Sequence, residues 1–237
     1  MSTVRAAMLF REEDEDLEAL PFADREEAGR ILAGKLLAYS HRRDVIVLGL
    51  ARGGMLVAAA VAAELHVALD VFLVSKVGTP WEQELAMGAL AEGGVEVLDL
   101  SLVRLLGISQ QEILDAVSVA RQELEARKDI YRHDHPPLDL HGKMVILVDD
   151  GIATGCSILA AIAEVRRRDA ARVVVAVPVA PASGCNAVRM QADEFVSVAE
   201  PEMFVAVSRW YRNFAQISEE DVESLLRNAE SAMAPAA

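Results

Sequence analysis

At 237 residues the chain is long enough for one sizeable domain, since domains commonly run to about 100–200 residues. Hydrophobic residues make up 53% of it but aromatics only 5%, so the interior is expected to be built from Ala, Val, Leu and Ile, a composition suited to buried parallel strands covered by helices. A formal charge of −14 argues against binding to DNA or RNA, whose phosphates reward clustered Lys and Arg, yet leaves room for a small anionic substrate held by a few local donors.

Taken in chain order, residues 24–39 (DREEAGRILAGKLLAY) carry apolar groups at helical intervals, and Asp24 with Glu27 is spaced as a capping pair. Residues 45–50 form a compact apolar run followed by Ala51, Arg52, Gly53 and Gly54 and then by a helical stretch to Leu65, which reads as strand, glycine turn, helix. A second run, residues 71–74, is expected to be a strand leading into a long, mobile loop over residues 76–94. Ser109 and Glu112 have capping-box spacing ahead of an amphipathic helix ending near Ile130. Strands are expected at 144–149 and 172–177, helices at 157–168 and 218–228, with Ser218 as the last cap and a frayed tail from Ser231. Such alternation predicts an α/β fold with a mainly parallel sheet, whose ligands sit at the carboxyl ends of the strands.

The most informative segment is VILVDDGIATGCS, residues 145–157. Four apolar residues deliver Asp149 and Asp150 into a glycine-bearing turn that opens a helix, so backbone N–H groups, a helix N-terminus and the hydroxyls of Thr154 and Ser157 converge as an anion cradle. The two carboxylates can accept hydrogen bonds from sugar hydroxyls on the same ligand. Either fragment alone is as often a solvated turn or a simple helix cap.

The complete string resembles the signature with which type I phosphoribosyltransferases bind phosphoribosyl pyrophosphate (PRPP). The resemblance runs weakly from about Asp24 to Ser218, and the RGG, ELAMGA and VDDGIATG segments together resemble a bacterial subgroup of that family. It implies a type I phosphoribosyltransferase fold: a mainly parallel central sheet flanked by helices, with a small C-terminal hood. The whole chain, 1–237, is then a single domain, with a core at 24–180, a flexible loop at 76–94, a hood at 181–216, and a C-terminal helix and tail at 217–237. By the same resemblance Asp149 and Asp150 bind the ribose hydroxyls, Ala153, Thr154, Gly155, Cys156 and Ser157 hold the 5′-phosphate, and Arg52, Gly53 and Gly54 form the pyrophosphate loop. Lys76 resembles the lysine that meets pyrophosphate; Glu84 resembles a loop glutamate of adenine phosphoribosyltransferases, though an exposed carboxylate explains it equally well. Phe195 and Val196 lie in a stretch that resembles the base-binding hood of hypoxanthine-guanine enzymes. Those enzymes carry a second Asp where this chain has Ala153, which argues against a 6-oxopurine acceptor and leaves the base unnamed.

The implied reaction transfers ribose 5-phosphate from PRPP to a nitrogenous base, with Mg²⁺ bound mainly through PRPP and no dedicated protein metal site. A regulator that senses PRPP or a nucleotide without turnover is the alternative, and hydrolysis of a phosphorylated metabolite a weaker third. Other features carry little: His133, His135 and His141 read as solvated loop histidines, the acidic residues at 12–18 as a solvated segment, Trp81 as packing on the loop, and Cys156 and Cys185 as buried thiols. Arg166, Arg167 and Arg168 suit a helix C-terminus, while Trp210 and Tyr211 suit either base stacking or a subunit contact. With no run near the roughly 20 apolar residues of a bilayer span and no secretory pattern, a cytoplasmic protein without membrane or nucleic-acid partners is expected, with homo-oligomer formation open.

Overall fold

A computed structural model describes residues 21–132 and 136–233. In chain order they form α1 (Arg25–Gly34), β1 (Val45–Leu50), α2 (Gly54–Leu65), β2 (Ala68–Phe72), β3 (Val74–Thr79), β4 (Glu82–Ala91), β5 (Glu96–Leu98), α3 (Leu100–Leu106) and α4 (Gln110–Arg132). Then follow β6 (Met144–Val148), α5 (Cys156–Arg167), β7 (Arg172–Val179), α6 (Asn186–Gln191), β8 (Glu194–Ala199) and α7 (Glu219–Met233).

Five strands make one parallel sheet in the order β2-β1-β6-β7-β8. Its central strands read as unbroken apolar runs because both faces are covered. On β6, Val145 and Leu147 face a core shared with Ile158, Ile162 and Val165 of α5, while Ile146 and Val148 face Leu32 of α1 and Val57 and Val61 of α2. All four β6 residues are fully buried. A second, antiparallel sheet, β3-β4-β5, packs with α3, α4 and α7 around Leu73, Met87, Leu124 and Val222.

Helix starts follow the sequence. Asp24 Oδ1 accepts from Glu27 N at 2.9 Å, and Ser109 and Glu112 form a reciprocal box, with Ser109 N donating to Glu112 Oε2 at 2.8 Å and Glu112 N to Ser109 Oγ at 3.3 Å. Ser218 and Asp221 repeat it, Ser218 N donating to Asp221 Oδ2 at 2.9 Å.

Four expectations change. Residues 76–94 are mostly regular structure: β3 and β4 pair antiparallel through Lys76↔Ala89, and the Pro80–Trp81 turn is only a hairpin tip. Glycines at 78 and 88 suggested a loop, but both lie inside strands, next to the register irregularity at Val77 and Gly78. The apolar run at 71–74 divides at Leu73, where the chain leaves one sheet for the other; burial on both sides of the crossing kept it continuous in sequence. Within the stretch expected to be hood, 181–216, Glu194–Ala199 forms β8, a fifth strand of the main sheet. Trp81, expected to pack, is 60% exposed at the hairpin tip. The acidic run at 12–18, His133, His135 and the last four residues lie outside the described residues.

Candidate functional site

Strand order reverses between β1 and β6, since the chain continues from β1 to β2 on one side and from β6 to β7 and β8 on the other. A crevice opens at the carboxyl ends of such a pair, because the two following loops diverge. Here those loops are Ala51, Arg52 and Gly53 after β1 and residues 149–155 after β6, and both line a cleft of about 1240 Å³. They touch at the base: a Cβ on Gly54 would lie 2.8 Å from Asp149 Cα and Val148 O, and one on Gly53 would lie 2.2 Å from Asp150 Oδ2. Only glycine allows this approach. The Ala51–Arg52 peptide is cis.

Beyond Asp150 the chain turns through Gly155, whose φ of +82° places it in the left-handed region as the N-cap of α5. The first N–H groups of a helix have no partner within it, and they carry the positive end of its dipole. Ala153, Thr154, Gly155, Cys156 and Ser157 all line the cleft at this point. Burial pushes the Cys156 thiol up, with a hydrogen bond from Thr154 opposing, so this is a packed thiol rather than a thiolate nucleophile.

The carboxylates stand at the floor. Asp149 Oδ1 accepts from Asp150 N at 2.9 Å. Burial, then repulsion from Asp150, pushes the Asp149 carboxyl well above the usual carboxylate range, against the pull of Lys76 and Arg25. Burial raises Asp150 as well, opposed chiefly by Arg25. Arg25 Nε donates to Asp150 Oδ2 at 2.8 Å, its side chain 7% and that of Asp150 14% exposed. Tyr211 closes the same corner by donating its hydroxyl to Asp150 O at 2.5 Å, and burial raises its phenol far above the normal value.

Lys76 projects from β3 into the cleft near both carboxylates. Arg52 also lines it, half exposed, with its guanidinium 3.7 Å from Glu219 in the first turn of α7. Phe195 and Val196 do not join them. They pair with Val175 and Ala176 partway along the edge strand β8, Phe195 under Arg189 at 4.1 Å, because β8 ends only at Ala199. The residues that form this wall instead are Ala206, Val207, Ser208, Phe214 and Gln216. Glu84 belongs to β4, and its side chain is outside the described residues.

Arg25 and Phe214 escaped the sequence reading, and Tyr211 entered it only as a base-stacking or subunit-contact residue, not as the donor to Asp150 O. One signal was available: Arg25 is the first residue of α1, where the helix dipole disfavours a cation, so its presence there calls for a partner elsewhere. Arg166, Arg167 and Arg168 make particular ion pairs, with Asp193, Glu164 and Glu92, beyond any dipole interaction. Among the described residues, no group of three or more His, Cys, Asp or Glu is placed to hold a metal ion, and no helix is long and apolar enough to cross a membrane.

Comparison with known proteins places this geometry. The model of the phosphoribosyl transferase domain matches residues 25–213. Proteins named "Putative phosphoribosyl transferase" from two strains of Mycobacterium tuberculosis are each 42% identical over 209 residues, 88% of this chain and 47% of theirs. The chain thus spans about half the length of the curated relatives it matches. The crystal structure of TT1426 from Thermus thermophilus is 40% identical, with a TM-score of 0.72 over 87% of this chain and 98% of that one. With a parallel sheet, its switch-point cleft and a family match over most of its length, the chain belongs to the phosphoribosyl transferase domain family.

Proposed function

We propose that this protein transfers the ribose 5-phosphate group of PRPP to a nitrogenous base, releasing pyrophosphate. The observation that carries the reading is the convergence, at one switch point, of an anion-binding helix start, two adjacent carboxylates, and two cations on separate elements. In this assignment the first turn of α5, with the hydroxyls of Thr154 and Ser157, holds the 5′-phosphate. Asp149 and Asp150 accept hydrogen bonds from the ribose hydroxyls, and such donated hydrogen bonds favour their ionised forms. Arg52 and Lys76 face the diphosphate, with Gly53 and Gly54 letting backbone approach it.

The bond from the anomeric carbon to the diphosphate oxygen breaks and a bond to a ring nitrogen of the base forms on the opposite face. The electron pair of the broken bond leaves with pyrophosphate, and the proton of the attacking nitrogen is released. Positive charge develops on the ribose while negative charge grows on the leaving group, so fixed carboxylates on one side and fixed cations on the other stabilise the transition state more than the ground state. Mg²⁺ would be carried mainly by PRPP and would supply charge neutralisation for the leaving diphosphate. The chain offers no cluster of its own for it among the described residues.

The test is pyrophosphate release with PRPP, Mg²⁺ and a panel of purine and pyrimidine bases, compared between the parent protein and Lys76→Ala. Release with one base, and a fall in kcat of about 10²–10³ in the variant with little change in PRPP affinity, is the expected result. No release with any base, while PRPP still binds, would favour a PRPP sensor instead.

A further inference from the structure

Arg25 is more than nine-tenths buried, at the cleft floor beside Asp150. Its Nε meets Asp150 Oδ2 at 2.8 Å and its Nη1 meets the Ala215 carbonyl at 2.9 Å. Its guanidinium carbon lies 3.7 Å from the centre of the Phe214 ring and 5.9 Å from that of Tyr211. The neighbouring backbone delivers it there: Phe22 N donates to Trp210 O at 2.9 Å, and Arg212 N to Phe22 O at 2.8 Å, so the start of α1 is stitched to the segment that carries Phe214 and Ala215. Planar guanidinium geometry is what lets one side chain satisfy a carboxylate, a carbonyl and an aromatic face at once.

We infer that Arg25 is the positioning residue for Asp150: it occupies one carboxylate oxygen so that the other is aimed, ionised, at the ribose of the ligand, and it fastens that carboxylate to the segment at residues 214–215. This rests on the ribose-binding role proposed above for Asp150. The groups facing Asp150 are Arg25 from α1, Lys76 from β3, Asp149 beside it and the Tyr211 hydroxyl on its carbonyl. Lys76 is exposed and reaches the pair only through space, so Arg25 is the partner in direct contact. Removing it leaves a carboxylate that burial already raises, without its chief counter-charge.

The experiment measures the dissociation constant of ribose 5-phosphate from pH 5 to 9 for the parent protein, Arg25→Met and Arg25→Lys, with inorganic diphosphate as a second probe. Taking the ratio of variant to parent at each pH removes the titration of the phosphate itself. Arg25→Met should weaken ribose 5-phosphate by about 10–100-fold at pH 7. It should also move the acid limb of binding up by about 1–3 pH units. Arg25→Lys should bring that limb back towards the parent's, because the charge is restored, while recovering only part of the affinity, because an ammonium cannot span Asp150 and Ala215. Diphosphate should bind all folded proteins within about threefold. A parent-like limb and affinity in either Arg25→Met or Arg25→Lys would overturn the positioning role. So would an equal loss of ribose 5-phosphate and diphosphate in Arg25→Lys, which would mean direct anion contact or a damaged fold. Failure of the parent protein to bind ribose 5-phosphate at all would instead sink the functional reading beneath it.

Discussion

At the scale of single residues, Asp149 and Asp150 are buried carboxylates whose burial works against folding stability. Both carboxyls are raised by burial, and Asp149 further by its neighbour. An acid raised in the folded state contributes stability that is fully present below its unfolded value of about 3.9 and is lost as pH rises through its folded value. Asp149→Asn keeps the acceptor for Asp150 N and removes the buried charge. We therefore expect the variant to match the parent near pH 4 and to melt a few degrees higher at pH 7 without ligand, each kcal/mol being worth about 2–4 °C at this size. Thermal melts across that range check it; a variant less stable at neutral pH would mean the pair serves the fold. The aspartates themselves were legible because an apolar strand ran directly into them and a glycine-bearing turn followed. The roles of Arg25, Tyr211 and Phe214 were not, since they depend on partners 61 to 190 residues away in sequence, which no local pattern encodes.

Among the elements, the close approach of the β1 and β6 loops and the attachment of the antiparallel sheet are the features that hold the cleft in shape. Gly54→Ala puts a methyl 2.8 Å from the Asp149 Cα and the Val148 carbonyl, backbone atoms that cannot swing aside. It should destabilise by about 1–3 kcal/mol and abolish ligand-induced stabilisation, as read by urea unfolding with and without ribose 5-phosphate. On the other side, Arg132 of α4 holds Asp70 of β2 at 2.7 Å and lies 3.6 Å from Glu92, which in turn meets Arg168, the C-cap of α5. All but Arg168 are about nine-tenths buried. Arg132→Met removes the cation paired with buried Asp70 and leaves Glu92 with Arg168 alone, and should cost about 3–5 kcal/mol. Arg121→Ala, which breaks the exposed pair with Glu96, should cost under about 1 kcal/mol. Equal losses in the two variants would contradict this account of the network. Strand and helix starts were readable from apolar runs and capping boxes. The hairpin at 74–91 was hidden because its glycines and charges look like a loop until pairing across β3 and β4 is known, and β8 was masked because Glu194–Ala199 (EFVSVA) is a short edge strand without clean alternation of apolar and polar residues.

For the molecule as a whole, topology does what no one residue can: reversing strand order between β1 and β6 brings Arg52, Asp149 and the start of α5 together, and the second sheet carries Lys76 to face them. A parallel α/β sheet was foreseeable from the alternation of elements, but the order of its strands, and the way the C-terminal segment folds back against Phe22 and Asp150, are properties of packing alone. A ligand that spans this junction binds only the folded state, so at a hundred times its Kd it should add about 2.7 kcal/mol, or roughly 5–10 °C in Tm. The most direct test is calorimetric titration of PRPP with Mg²⁺ into the parent protein and into the double variant Asp149→Asn, Asp150→Asn. The account predicts saturable one-to-one binding by the parent and at least about tenfold weaker binding by the equally folded variant. Absence of heat and of any thermal shift with the parent at millimolar PRPP, or equal affinity in the two proteins, would contradict it.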